Sequence, residues 1–118
     1  MRFSLVVATL GRTTELQKLL KSLDQQTHRD FEIIVVDQNT DDRLLPVLST
    51  FENRMEVRRL ISVPGLSRAR NVGLGTITGN VVCFPDDDCW YPSDLLARLN
   101  QLFCRKRSLA RHSWRFHR

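Results

Sequence analysis

No apolar run in the 118-residue chain approaches the roughly 18 residues that a membrane-spanning helix requires. The apolar stretch at residues 5–10 is too short for a secretory signal and has no cleavage site. The expected compartment is cytoplasmic, with peripheral association at the inner face of the membrane left open. Cysteine is scarce: Cys83, Cys89 and Cys104 are an odd number without a CxxC pair. That argues against a disulfide framework or a zinc site and makes reduced structural thiols the expectation. Glycine-rich phosphate signatures are missing too, because the turn around Gly11 is not GxGxxG and no GxxxxGK[ST] occurs. Acidic residues are missing from one end: residues 104–118 hold six of the 18 basic side chains and no Asp or Glu. Residues 1–103 carry 12 basic and 13 acidic side chains, so the net charge of +5 belongs to a basic tail and nucleic acid is not an expected partner.

What is present alternates between apolar runs and helical spacing. Residues 3–8 and 31–36 lack the polar alternation of half-exposed strands and read as strands buried on both faces. Between them, Leu16, Leu19, Leu20 and Leu23 mark one face of a helix that Thr13 is placed to cap and that Glu15 favours in its first turn. A short helix over 43–51 tolerates Pro46 only in its first turn. A more polar strand over 56–63 is followed by a helix from about 66 to 77. In that helix Ala69 and Gly73 share a face, so the helix can lie close to a sheet. A strand over 81–84 precedes a helix that Ser93 is placed to cap, with Leu95, Leu96, Leu99 and Leu102 as its stripe. His28 is expected to be exposed in a loop, and Trp90 and Tyr91 to serve packing.

This order of βαβ units predicts an α/β fold: an open, mainly parallel sheet sandwiched by helices, with ligands bound at the carboxyl ends of the strands. The polar clusters that follow the strands then share one rim. They contain Thr9, Arg12, Asp37, Arg68, Arg70 and the triplet Asp86, Asp87 and Asp88. Carboxylates, arginines and a hydroxyl suit a nucleotide diphosphate with a divalent cation. Three adjacent aspartates repel one another unless a positive group relieves them, and a hard ion such as Mg²⁺ or Mn²⁺ does so.

Three segments, FSLVVATLGRTTELQKLLKSLDQQT, FEIIVVDQNTDD and GLSRARNVGLGTITGNVVCFPDDDCWYPSDLL, resemble in that order the glycosyltransferase family 2 enzymes, inverting transferases of the GT-A fold. The resemblance covers about residues 3–102. It implies a nucleotide-sugar donor, usually a uridine diphosphate sugar, held with Mn²⁺ or Mg²⁺. Thr9 would contact the nucleoside, Asp37 the base or ribose, and Arg70 the nucleotide, while Arg12, Arg68 and Asp87 complete the donor site. Where the family often has a second Asp, this chain has Gln38. The Asp-x-Asp element falls within the triplet in a register that the motif leaves open. With the outer pair matched, Asp86 faces the ribose and Asp88 binds the metal, with Asp86 a further metal candidate.

The acceptor would be a glycan, lipid or other hydroxyl. The family's base lies in a second half, and nothing after residue 102 resembles it. The expected division is a donor-binding domain over 1–103 and a tail over 104–118 that has no strand signal, either disordered or an aberrant extension of the last helix. Truncation or a shifted frame would leave the chain inactive alone. A different class of function is a non-catalytic binding module whose basic tail engages nucleic acid or an anionic membrane. Salt-sensitive binding that survives deletion of 104–118 would count against it.

Overall fold

The computed structural model describes residues 1–105 and 114–117. The elements are β1 (Phe3–Thr9), α1 (Thr14–Asp24), β2 (Phe31–Asp37), α2 (Leu45–Phe51), β3 (Glu56–Ile61), α3 (Leu66–Leu74), β4 (Val81–Phe84), α4 (Leu95–Arg105) and β5 (Trp114–His117). The strands run in the order β3-β2-β1-β4-β5, and every neighbouring pair is parallel. This is the open α/β sheet that the alternating pattern predicts. Among the described residues no helix is long and apolar enough to cross a membrane.

The alternation of side chains along β1 and β2 builds two cores. Phe3, Leu5, Val7, Phe31, Ile33 and Val35 pack beneath α1, α2 and α4, whose Leu16, Leu19, Leu20, Leu23, Phe51, Leu96 and Phe103 are buried. Val6, Ile34 and Val36, together with Val82 and Phe84 of β4, form the opposite layer against Ala69 of α3. The close approach expected of α3 is present. A Cβ on Gly73 would stand 2.5 Å from Val6 Cγ1 and 3.2 Å from Val36 Cγ2.

Some local expectations are corrected. Thr13 occupies the position before α1 but makes no capping bond. Its ψ of −54° is not the extended backbone that aims a hydroxyl at the helix N–H groups. Helix α4 begins at Leu95, one residue later than capping by Ser93 would place it, and Asp94 pairs with Arg98 at 2.8 Å. Helix α3 stops at Leu74 because Gly75 ends it. His28 is half-buried, with Nε2 2.8 Å from the Met1 carbonyl and its ring edge-on to Phe3. Trp90 is 70% exposed rather than packed, whereas Tyr91 is buried.

At the end of the chain, Cys104 and Arg105 finish α4, and the expectation of no strand is overturned by β5. A strand pairing through its backbone on an already formed sheet needs only a short segment, and Trp114 to His117 alternate apolar with polar residues. Residues 106–113 and 118, the rest of the expected tail, lie outside the described residues.

The amino-terminal rim of the sheet carries a buried carboxylate, Glu32, on β2. Its Oε2 accepts bonds from the Ser4 hydroxyl and the Thr78 N–H, both at 2.6 Å, and Arg58 Nη2 lies 2.8 Å from Oε1. Burial pushes its pKa upward most strongly. The Ser4 and Thr78 bonds and the Arg58 charge together outweigh burial and bring the pKa down to about 2.

Candidate nucleotide and metal site

Parallel pairing puts the carboxyl ends of β1, β2 and β4 on one rim, with Thr9 in register with Asp37. Asp37 is fully buried and both its oxygens are engaged. Oδ1 accepts the Asn39 N–H at 2.9 Å and Asn39 Nδ2 at 2.8 Å, while Arg59 Nε of β3 lies 2.9 Å from Oδ2. Asn39 Oδ1 in turn accepts the Gly11 N–H at 2.7 Å, where Gly11 adopts a φ of +72°. The loops after β1 and β2 are thereby fastened around one carboxylate. Each carboxylate oxygen has two acceptor positions, so Oδ1 is filled and Oδ2 keeps one.

Gln38, the position where the family often has Asp, has a definite structural role. Its Nε2 donates to the Thr9 carbonyl at 3.3 Å, and its Oε1 accepts the N–H of Gly65, the residue before α3, at 2.8 Å. Gln38 therefore ties β1 to the loop that starts α3. Gln38→Ala is expected to cost about 1–2 kcal/mol, read from urea unfolding, because it leaves a loop N–H without its acceptor.

The triplet follows β4. Arg12 reaches it from the β1–α1 loop, with Nε 3.4 Å from Asp87 Oδ1 and Nη1 3.5 Å from Asp88 Oδ2. Burial holds the Asp87 carboxyl above the usual range, with the Thr9 hydroxyl and Arg12 opposing and the Asp88 charge adding to the rise. Thr9 Oγ1 is buried and faces Asp87, yet it meets no hydrogen-bond partner of ordinary geometry among the described residues. Asp86, Asp88 and Cys89 bring one donor atom each within 4.8 Å of the others.

Of the residues expected at the site, Arg12 is joined to the triplet, and Thr9 and Asp37 sit side by side. Arg70 lies over the Phe84 ring, 5.1 Å from its centroid, at the end of β4. Arg68 is exposed in the first turn of α3, and no ion pair joins it to the triplet among the described residues. Sequence reasoning missed Asn39, Arg59 and Cys89. Asn39 was legible as an Asx turn following Asp37, but nothing in the sequence marked which arginine of β3 would face inward.

A parallel sheet flanked by helices, with a buried Asp closing β2 and an acidic triplet closing β4, has the architecture of a GT-A domain. The chain belongs to glycosyl transferase family 2, whose family model matches residues 4–116. An uncharacterized glycosyltransferase of Haemophilus influenzae is 37% identical over 90 residues, covering 75% of this chain and 30% of that protein. Glycosyltransferase GlyA of Streptococcus pneumoniae is 33% identical over 101 residues, covering 83% and 14%. Among solved structures, S. aureus TarS 1–349 superposes with a TM-score of 0.84 at 26% identity, covering 91% of this chain and 33% of TarS. The same protein has been solved with UDP-GlcNAc and with UDP. The chain thus spans a third or less of these relatives.

Proposed function

We propose that this chain holds the donor, a uridine diphosphate sugar, for a metal-dependent, inverting transfer of the sugar to an acceptor hydroxyl on a glycan, lipid or similar molecule. The observation that carries this reading is the convergence of the Asp86 and Asp88 carboxylates at the carboxyl end of β4, on the same rim as Thr9 and Asp37. Family membership and the UDP-GlcNAc and UDP complexes of TarS support it.

The donor set fits a divalent ion. Two carboxylates supply hard oxygens while leaving positions for water and phosphate oxygens, as Mg²⁺ and Mn²⁺ require. When bound, the ion neutralises charge on the diphosphate leaving group. Asp86 and Asp88 are the residues that would hold it. Arg12 keeps Asp87 and Asp88 oriented, and Asp37 with Thr9 takes the nucleoside. Arg70 and Arg68, on α3, extend the positive charge available to the phosphates. Inversion calls for a single displacement, with a carboxylate base taking the acceptor proton. That base is assigned to none of these residues.

Thermal unfolding tests the reading. UDP with Mn²⁺, at about a hundredfold excess over Kd, is expected to raise Tm by roughly 10 °C. Asp88→Asn is expected to remove the rise without unfolding the protein, because Asp88 is half exposed. An equal rise in Asp88→Asn, or no rise in the wild type, would overturn the assignment.

A further inference from the structure

We propose that the groove between α1 and the segment 90–93 is a subsite for an anionic saccharide, a sugar ring that carries a carboxylate or a phosphate, apart from the donor site. The binding chemistry stands on the groove alone. Its role as part of an acceptor site rests on the transfer proposed above.

The groove has a volume of about 470 Å³ and is lined by Lys18, Lys21 and Gln25 of α1 and by Trp90, Tyr91 and Pro92. Its two walls are fastened together. The Tyr91 N–H donates to Ser22 Oγ at 3.2 Å, Gln26 Nε2 donates to the Pro92 carbonyl at 2.8 Å, and the Thr27 N–H donates to the Ser93 carbonyl at 2.9 Å. Gln26 is buried, and its Oε1 accepts the Leu96 N–H at 3.1 Å, so one amide joins the end of α1 to the segment and to α4. Tyr91 is packed into the core while its neighbour Trp90 stays 70% exposed. Walls already held in place need little ordering when a ligand arrives.

The lining chooses the ligand. An indole in water gains by covering its face, and that face is the negative side of its quadrupole. A sugar ring fits it with a flat set of C–H groups that are apolar and weakly positive. Lys18 and Lys21 are exposed one turn apart on α1 and are joined to no acid among the described residues. The acids near them in the fold are engaged elsewhere, Asp24 with Arg29 and Arg54, and Asp94 with Arg98. Two ammonium groups are therefore left for an anion from outside, and the Gln25 amide can both donate to and accept from ring hydroxyls.

Single-stranded nucleic acid also uses aromatic stacking beside lysines. Two observations favour the sugar. The chain belongs to a family of glycosyl transferases, and Trp90 follows the acidic triplet with only Cys89 between them. The groove thus continues from the loop that carries the donor rim's acids, where an extended acceptor glycan would lay one of its residues while another reaches the rim.

Calorimetric titration of the 118-residue chain in EDTA, without nucleotide, tests the proposal. Trigalacturonate and glucose 6-phosphate join ring and charge, maltotriose and glucose have the ring alone, and inorganic phosphate has the charge alone. At least one charged sugar is expected to bind about tenfold more tightly than its neutral counterpart, and inorganic phosphate is expected to bind more weakly than that sugar. The bound sugar should shield Trp90 from acrylamide, a protection absent from Trp90→Phe. Trp90→Ala is expected to abolish binding, and the double variant Lys18→Gln, Lys21→Gln to lose about tenfold for the charged sugar while matching wild type for the neutral one. All three positions are exposed, so the urea midpoints of these variants should match the wild type. No binding of either charged sugar at about 10 mM, or binding that Trp90→Ala leaves intact, would overturn the subsite. So would displacement of the sugar by a lower concentration of oligoadenylate, or a dimer that Trp90→Ala dissolves. With neither metal nor UDP present, the subsite can stand where the UDP and Mn²⁺ shift fails, and fall where that shift holds.

Discussion

Gly73→Ala is expected to destabilise the protein by about 1–3 kcal/mol, even though alanine is the better helix former by about 1 kcal/mol. The new methyl would begin 2.5 Å from Val6 Cγ1 and 3.2 Å from Val36 Cγ2. Neither valine can retreat. Both are buried and β-branched, and β1 and β2 carry α1 and its leucines on their other face. Helix α3 must therefore rise from the sheet, and it carries Arg68 and Arg70 with it. The same substitution two residues later supplies the control. Gly75 has a φ of −68°, and an added Cβ would lie no closer than 3.5 Å to any atom. Gly75→Ala is expected to be neutral or to stabilise by up to about 1 kcal/mol. Urea midpoints for the two variants should therefore move apart, and a shared response would show that α3 does not lie as close to the sheet as described.

Acid is expected to destabilise the fold through Glu32. A carboxyl whose folded pKa falls from about 4.5 to about 2 contributes stability that is fully present above pH 4.5. The contribution shrinks as pH falls through that window and is gone below about pH 2, a loss on the order of 3 kcal/mol. Asp24 adds to the same limb, because its ion pairs with Arg54 at 2.6 Å and Arg29 at 3.3 Å lower its pKa despite burial. Glu32→Gln keeps the shape but removes the charge opposite Arg58 and Arg2. It is expected to cost about 3 kcal/mol at neutral pH and to flatten the stability profile between pH 4.5 and 2. Urea titrations at several pH values measure both. An unchanged slope in Glu32→Gln would place the acid sensitivity elsewhere.

The sheet was readable because its central strands are buried on both faces. Continuous runs such as FSLVVA and FEIIVV leave a chain no alternative that hides them, and the polar residues after each run then fall on one rim. Strand β5 escaped notice because four alternating residues carry little signal of their own and pair only once β4 exists. Side-chain partnerships were less legible. Arg58 and Arg59 are adjacent and chemically identical, yet the pleat sends one to Glu32 at the amino-terminal rim and the other to Asp37 at the ligand rim. Only the register of β3 decides which goes where. Glu32 itself sits in a buried strand, where a sequence pattern alone would expect an apolar residue. Its retention depends on Ser4, Thr78 and Arg58, which come from three other segments. Cys89 was passed over for the opposite reason, since a cysteine without a CxxC partner has no spacing rule to flag it.

The position of β1 has a kinetic consequence. The first strand of the chain is the centre of the sheet, with Phe3 in register with Phe31 on one side and Val81 on the other. Both pairings are parallel, so neither can close through a tight turn, and the second must span most of the chain. During synthesis β1 therefore emerges with its two edges open and keeps one of them until β4 has left the ribosome. Until β4 emerges one edge of β1 stays open, and this interval is when a holding chaperone has the most to protect.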